Sequence, residues 1–323
     1  TYSYAGPYYS DASLLLPSSA YDIAYIVPAW PYGQADAGDY YPAHVQIAAA
    51  SDTQVTITSP IATTAGGGVP ALVANVPQTF SLQEGDLLQL TAAAINTSFN
   101  GLLVAATRPV GVFTSNECVN VPLANCCCEH LEEQVFGVQT WGKNYVASRV
   151  PPRAAEPALW QIMAQQDQTT VTFSAPAGVT GLPPSVTLNA RQMVEYSVNG
   201  PANAPGDFVV GADKPVLVTQ YMVAGGLAGG QGDPSMVQAV AVEQYLLQYV
   251  IVVPTTWVYN FAVLTRTAGS TVEVDGVPVS AGWLAAGGGY EVARVAIADG
   301  VHRISGARPV GVLVVGYDSY DSY

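Results

Sequence analysis

A short pattern of a basic residue, a proline and then mostly apolar residues occurs three times along the chain, at 108–113, 214–219 and 308–313. Each copy is typical of a β-strand. Proline is tolerated at the first position of a strand, where its missing N–H is not needed for pairing, and the valines behind it favour a pleated surface. The copies recur at intervals of about 100 residues. The pattern therefore predicts three copies of one structural unit.

Two further hydrophobic patterns precede each copy in the same order. One is an apolar run that ends in Val-Pro, at 27–28, 150–151 and 253–254. The other is an apolar strand followed, eight or nine residues on, by a strand rich in threonine and valine: 45–47 with 53–56, 160–162 with 169–172, and 261–264 with 270–273. This separation predicts a tight hairpin between the two strands.

Shorter apolar segments complete each unit. They predict further strands at 76–82, 87–90 and 102–105, with counterparts at 186–188, 193–196 and 208–210 and at 277–279, 290–295 and 302–304. The expected fold is all-β, with three tandem β-sandwich-like units of about 100 residues. The expected domains are units at 1–118, 135–224 and 244–323, joined by a Cys-rich linker at 119–134 and a Gly-rich linker at 225–243.

Composition supports an all-β chain and limits the class of partner. Charged residues make up 11% of the 323 residues, against about a quarter in ordinary globular proteins, and only Lys143 and Lys214 are lysines. The net charge of −14, without a basic stripe, argues against nucleic-acid binding. The apolar run at 245–253 is about half as long as a bilayer requires, so no membrane insertion is expected within this segment.

Several features predict a secreted, extracellular or cell-surface location. The chain begins at Thr1 without methionine, and we expect it to be a processed or excised piece. It has four cysteines, three of them consecutive, which favours an oxidising compartment. Asn96 opens an Asn-Thr-Ser sequon, so it is a predicted glycosylation site.

Tyrosine-rich segments are candidate interaction surfaces. The loop at 30–42 contains Tyr32, Tyr40 and Tyr41, which form either a binding surface or packing over the end of a sandwich. The N-terminal segment 1–13 is also rich in tyrosine. It is interpreted as an arm that lies over the first unit or adds to a neighbouring chain.

Motifs in the linkers and in the later units carry a family resemblance. They are Cys118-Val119-Asn120-Val121-Pro122, Cys128-Glu129-His130-Leu131-Glu132-Glu133-Gln134, Trp141-Gly142-Lys143, Arg153, the run 214–221, Gly232-Asp233-Pro234-Ser235-Met236, Glu243-Gln244 and Tyr317-Asp318-Ser319-Tyr320. With these motifs the sequence resembles the N-terminal domain family of the IgG Fc-binding protein over about 120–320. It departs from the family in a glutamate beside His130, where aspartate is expected, and in the added Cys126 and Cys127. The resemblance implies a secreted β-rich adhesive or matrix module, and it does not imply that this chain binds antibody.

The resemblance also implies a disulfide between Cys118 and Cys128, which occupy the family's two cysteine positions. Closing that short loop stabilises the fold by roughly 3 kcal/mol in the chain-entropy estimate. For Cys126 and Cys127 a vicinal bond would be strained, so an intermolecular bond and free thiols both stay open. Three thiols with His130 are an alternative Cys3His zinc site. The bunched ligands and the oxidising setting argue against it, and no metal is expected.

Enzyme motifs are missing from the sequence. The glycine-rich runs at 66–68, 225–230 and 287–289 lack the Lys-Ser/Thr of a P-loop. Gly-x-Ser-x-Gly does not occur, and the three histidines are scattered along the chain. We therefore expect no catalytic activity and no cofactor.

The leading functional hypothesis is a non-catalytic structural or adhesive module of a secreted, cell-surface or filamentous assembly. Its expected partners are copies of itself, as a homo-oligomer, or other extracellular glycoproteins. The alternative is a recognition module that binds a glycan or glycoprotein through aromatic loops such as 30–42.

Overall fold

The protein folds into an all-β chain with three curled sheets that follow one another along the sequence. A computed structural model describes residues 2–6, 9–33, 39–255 and 257–323. Short 3-10 turns occur at Ser18–Ala20, Val138–Thr140, Gly225–Leu227 and Val242–Gln244. Within these described ranges, no helix has the length and apolar character needed to span a membrane. The predicted fold class is confirmed.

The strands form one hairpin and three units. The hairpin contains β1 (Tyr2–Gly6) and β2 (Tyr9–Ala12). The first unit contains β3 (Asp22–Val27), β4 (Ala43–Ala49), β5 (Thr53–Thr58), β6 (Gln78–Leu82), β7 (Leu87–Thr91), β8 (Leu102–Val119) and β9 (Glu129–Gln134). The second contains β10 (Gly142–Ala147), β11 (Ala158–Ala164), β12 (Thr169–Ser174), β13 (Ser185–Leu188), β14 (Met193–Val198), β15 (Phe208–Met222) and β16 (Ser235–Gln238). The third contains β17 (Leu246–Val253), β18 (Tyr259–Thr267), β19 (Val272–Val274), β20 (Val277–Pro278), β21 (Leu284–Gly287), β22 (Tyr290–Ala296), β23 (Gly300–Asp318) and β24 (Asp321–Ser322).

Each unit is built around one long strand, which is β8, β15 or β23. The first half of β8 pairs with β3 and β5, and its second half pairs with β4 and β9. The second and third units repeat this arrangement around β15 and β23. The segments predicted as separate strands at 102–105 and 108–113 are therefore one continuous strand. It curls the sheet because its two halves have different neighbours.

The repeated basic-Pro pattern lies at the centre of each long strand. In β8, Ala106 pairs with Val55 and Val110 pairs with Ala49, while Arg108 and Pro109 between them have no ladder partner. Since proline has no backbone N–H, it fits a position where the ladder is interrupted. The pattern therefore marks the point at which the strand changes neighbours.

The predicted hairpins between the paired upstream strands are wrong. β4 and β5 do not pair with each other, because β8 lies between them in the sheet order β6-β5-β8-β4-β7. The corresponding strands of the second and third units are separated in the same way by β15 and β23. The short connection has the length of a hairpin, but it joins a strand that pairs with one half of the long strand to a strand that pairs with the other half. The separation in sequence is the same in both arrangements, so it cannot distinguish them.

Alternation along the strands places one apolar core in each unit. In β4 the buried positions are Ala43, Val45, Ile47 and Ala49, with the intervening residues half-buried. Val45 and Ile47 pack in the first core, Trp160 and Ile162 in the second, and Ala262 and Leu264 in the third. These are equivalent positions on β4, β11 and β18, as the sequence pattern predicts.

The chain enters and leaves a unit close to the centre of its long strand. In the first unit Asp22 at the start of β3 pairs with Val110, and Gln134 at the end of β9 pairs with Phe113. In the second unit Gly142 pairs with Val216 and Gln238 pairs with Thr219. In these two units the first and last strands therefore meet the long strand within a few residues of each other.

Successive units pack face to face. The front face of a unit is the outward side of its first strand and of the first half of its long strand. The back face is the outward side of the paired strands β4 and β7 in the first unit, β11 and β14 in the second, and β18 and β22 in the third. The front face of the first unit, with Ile26 and Leu103, packs on the back face of the second, with Met163 and Met193. In the same way the front face of the second unit packs on the back face of the third; the contacting residues are Val146, Val209, Val263 and Val292.

Both ends of the chain lie near the connections between units. β2 lies against β9 and β24. Ser319 forms a β-bridge with Gln231, and the Ser322 hydroxyl donates to the Asp233 carbonyl at 2.7 Å. The C-terminal residues therefore contact the segment that connects the second and third units.

Candidate functional site

The aromatic loop is anchored to the first unit through most of its predicted binding residues. Tyr32 packs against the first core, and its backbone exchanges hydrogen bonds with the Asn96–Thr97 turn at 2.7 and 2.8 Å. Tyr41 packs against the Cys118–Cys128 pair, whereas Tyr40 is 42% exposed. Residues 34–38 of this loop lie outside the described ranges. Of the three predicted binding tyrosines, Tyr40 is the best placed to meet a ligand.

Asn96 lies on an exposed turn with a left-handed backbone, at φ 60°. Asparagine adopts this conformation more readily than most residues. The sequon's Ser98 hydroxyl donates to the Ala29 carbonyl at 3.2 Å, which ties the turn to the first unit. The exposed position suits glycosylation, which stays a prediction.

Cys118 and Cys128 form a disulfide with an S–S distance of 2.03 Å. Both residues are buried, at 1% and 3% exposure. The bond joins the end of β8 to the residue before β9. It therefore fixes the turn between these strands at the junction with the second unit.

Cys126 and Cys127 lie in that same turn and are not joined by a disulfide. Cys126 is exposed, Cys127 is half-buried, and their sulfur atoms are 2.7 Å apart. His130 contacts the Glu117 carbonyl at 3.3 Å and Glu132 at 3.5 Å. Among the residues that the structure describes, no group of three or more His, Cys, Asp or Glu side chains is arranged to hold a metal ion.

The junction between the first and second units contains a buried carboxyl group, that of Glu133. It accepts hydrogen bonds from the Ser13 hydroxyl at 2.9 Å and from the backbone N–H and side-chain amide of Gln238 at 3.3 and 3.2 Å. Burial raises the pKa of Glu133 to about 7, although the hydrogen bonds from Ser13 and Gln238 oppose the shift. These bonds connect β9, β16 and the residue after β2.

Arg153 joins the second and third units. Its guanidinium donates to the Val223 carbonyl at 2.7 Å and to the Gln231 carbonyl at 3.0 Å, and it lies 5.6 Å from the ring centre of Tyr317. The Tyr317 hydroxyl in turn donates to the Pro151 carbonyl at 2.9 Å. Burial lowers the pKa of Arg153, and the adjacent phenol and carboxylates oppose that shift.

A second buried ionic cluster lies beside it. Arg294 of β22 donates to Asp207 at 2.6 Å and to the Arg149 carbonyl at 2.7 Å, so it bridges the third unit to the second. Asp207 also accepts from the Arg149 backbone N–H at 2.8 Å. The Arg149 guanidinium lies 3.6 Å from Glu156. Burial lowers the pKa of Arg149, and Glu156 is the largest opposing influence.

This cluster forms one wall of a cleft of about 690 Å³ between the second and third units. Its lining includes Arg149, Glu156, Thr180, Asn199, Leu284 and Arg294. Thr180 and Asn199 are exposed. Guanidinium, hydroxyl and amide groups are suited to bind carboxylates and sugar hydroxyls, so the cleft is the candidate small-ligand site.

Sequence reasoning missed Arg149, Asp207 and Arg294. A usable signal exists, because the chain has only 10 basic and 24 acidic residues. Arg149 directly precedes a Val-Pro landmark, and Asp207 directly precedes the apolar start of a long strand. Scarce charges beside buried strand ends predict partners within the fold.

Comparison with known proteins gives one family. The model of the family described as IgGFc binding protein matches residues 11–316, which is nearly the whole chain. No curated protein and no solved structure matches the chain.

Proposed function

Because the chain belongs to the IgGFc binding protein family, we propose that it is a non-catalytic structural or adhesive module of a secreted, cell-surface or filamentous assembly. The family is extracellular and comprises β-rich binding or structural modules. Its partners are extracellular glycoproteins or further copies of the chain.

The observation that carries this proposal is the use of buried polar residues at the unit junctions. Glu133 and Arg294 each connect two units through hydrogen bonds of 2.6–3.3 Å. Arg153 bonds the Gln231 carbonyl in the connecting segment, and its guanidinium lies 5.6 Å from the ring centre of Tyr317 in the third unit. Burying such groups is costly unless they are paired. Several of the few charged residues of the chain are therefore buried at the junctions, where they hold the units in one arrangement. Such an arrangement is expected of a protein whose surfaces must keep fixed relative positions.

Binding to extracellular glycoproteins is the direct test. The chain is immobilised, and purified mucin-type glycoproteins, IgG Fc and the chain itself are passed over it. IgG Fc is included because it is the ligand in the family's description. We expect saturable binding to at least one of these. Binding to none of them would contradict the proposal.

Two variants test whether the fixed arrangement matters for that binding. Arg153→Gln removes the guanidinium that bonds the Gln231 carbonyl in the connecting segment and lies over the Tyr317 ring of the third unit. Arg308→Gln changes an exposed arginine in the centre of a long strand. We expect weaker binding for the first variant and unchanged binding for the second. If both variants bind equally well, binding does not depend on the fixed arrangement of the units.

A second candidate function is recognition of a glycan, and the cleft between the second and third units favours it. Exposed Thr180 lines the cleft, whereas exposed Thr187 lies on β13 outside its lining. In a glycan-array screen we expect Thr180→Val to reduce a positive signal and Thr187→Val to leave it unchanged. A signal lost only in Tyr40→Ala would assign recognition to the aromatic loop instead.

A further inference from the structure

The front face of the third unit is exposed, unlike the other two front faces. Val252 and Val301 are 71% and 69% exposed, whereas Ile26 and Val146 are 5% and 3% exposed. Val250, next but one along β17, is 73% exposed and extends the patch, and its cross-strand partner on this face is the exposed Arg303. Single exposed valines are common on protein surfaces, but a contiguous apolar patch on a sheet marks an interaction site.

Strand register shows that these are equivalent positions. Ile26 pairs with Leu103, Val146 with Val209 and Val252 with Val301. Each pair lies one position before the end of its ladder, where Val27 pairs with Leu102, Ala147 with Phe208 and Val253 with Gly300. The surface that is covered in the first and second units is therefore the one that is open in the third.

The back face of the first unit is open in the same sense. Leu87 pairs with Ala48, as Met193 pairs with Met163 and Val292 with Thr265. Leu87 is 64% exposed, whereas Met193 is half-buried against the first unit and Val292 is 0% exposed. In the part of the chain that the structure describes, the front face of the third unit and the back face of the first unit are therefore uncovered.

We propose that the front face of the third unit binds the back face of the first unit in a second copy of this chain. This inference rests on the proposed structural role and names the partner. The same front-to-back contact forms twice within the chain, so the new contact continues an interface that the fold already makes. The two surfaces are different, so the contact is heterologous and repeats from copy to copy.

The polar residues around the two faces are compatible with this contact. Gln46 pairs with Gln89 on the back face of the first unit, at the positions that Gln161 and Glu195 occupy in the second. In the second unit this polar pair, in which Gln161 is buried and Glu195 is exposed, lies next to the Met163–Met193 pair that contacts the first unit. The net charge of −14 opposes association, but the Debye length of about 8 Å at physiological salt limits that repulsion to short range.

Three lysine substitutions at exposed positions test the proposal. Val252→Lys changes the front face and Leu87→Lys changes the back face. Val277→Lys is the matched control, because Val277 is 67% exposed but does not lie on the front face. Val277 pairs with Val274, and Val274 pairs with the buried Ile304, so all three lie on the side of the sheet opposite to the front face. Thermal unfolding of each variant verifies that it remains folded.

Sedimentation velocity from about 1 μM to about 1 mM measures assembly. We expect the wild-type mass to rise above the 33.6 kDa of one chain as concentration increases. Val252→Lys and Leu87→Lys should each weaken association by roughly tenfold or more, and Val277→Lys should behave as the wild type. A wild-type mass that stays at 33.6 kDa throughout overturns the inference.

A mixing experiment tests the front-to-back geometry. The Leu87→Lys variant keeps an intact front face, and the Val252→Lys variant keeps an intact back face. An equimolar mixture should therefore form one-to-one dimers and nothing longer. A different result would overturn the inference: Val252→Lys abolishes association, Leu87→Lys leaves it unchanged, and mixing the two variants does not restore it. That result would show that front faces bind each other.

The glycoprotein binding assay keeps this inference separate from the proposed function. A monomeric wild type that still binds a glycoprotein overturns the inference and leaves the adhesive role standing. Assembly that follows the expected variant pattern supports the inference even when no glycoprotein binds.

Discussion

Glu133 shows how a single buried group responds to its surroundings. Its carboxyl receives hydrogen bonds from Ser13 and Gln238, and burial raises its pKa from 4.5 to about 7. The folded protein therefore binds a proton here that the unfolded chain releases between pH 4.5 and pH 7. Across that window the contribution of Glu133 to stability falls as the pH rises, because the folded state must either keep the proton or bury a charge.

We predict that Glu133→Gln removes this pH dependence. Relative to the variant, the wild type should lose about 3 kcal/mol in free energy of unfolding between pH 4 and pH 8. Urea unfolding at a series of pH values measures the difference, with Glu84→Gln at an exposed carboxylate as the control. A wild-type-minus-variant difference that is independent of pH would refute the assignment.

At the scale of elements, the aromatic residue that precedes the first strand of each unit packs against the long strand of that unit. A Cβ built on Gly111 of β8 lies 2.6 Å from the ring of Tyr21, and one built on Gly311 of β23 lies 2.5 Å from the ring of Tyr245. In the second unit Leu217 packs with Trp141 in the equivalent place. A glycine beside each tyrosine therefore brings the ring against the backbone of the long strand.

We predict that Gly111→Ala and Gly311→Ala each destabilise the protein by about 1–3 kcal/mol, because the added methyl group must displace a packed ring. Gly66→Ala is the control, since a Cβ there meets nothing within 4 Å. Thermal unfolding compares the three variants. Equal stability of Gly66→Ala and Gly111→Ala would mean that the tyrosine ring moves aside at no cost.

At the scale of the whole molecule, we predict that Arg153 couples the unfolding of the second unit to that of the third. We predict that Arg153→Met destabilises the protein by roughly 3 kcal/mol, because it removes bonds to two carbonyls and leaves Glu156 buried with one cationic neighbour fewer. In calorimetry the wild type should unfold in one transition and the variant in two.

The exposed Arg308→Met is the control for that experiment. It also changes an arginine to methionine, but at a position with no role in the junction. An Arg153→Met protein that melts as Arg308→Met does would show that the other junction contacts are sufficient.

The sequence predicts the units because the signals that define them are local. The proline at the centre of each long strand and the valines behind it report backbone geometry within a few residues, so the repeat of about 100 residues is visible. Strand pairing is not local. Val55 pairs with Ala106, and the short connection from β4 to β5 carries no mark of the strand that separates them.

The candidate site was less accessible to sequence reasoning for the same reason. The hydrogen bonds that Asp207 accepts from Arg149 and Arg294 span 58 and 87 residues, and the second of them crosses from the third unit to the second. Composition identifies the aromatic loop, but it does not indicate that Tyr32 and Tyr41 pack against the first unit. Charge scarcity identifies residues that need partners, and only the fold identifies the partners.

The positions at which the chain enters and leaves each unit determine how tension would pass through the molecule. In the first unit these positions lie beside Val110 and Phe113, three residues or roughly 10 Å apart along the same strand. A pull on the two ends of the unit would therefore be carried across the centre of β8. The remaining strands would stay unloaded until β3 or β9 peels away from β8. The first unit would therefore lie beside the path of the force and would unfold one strand at a time.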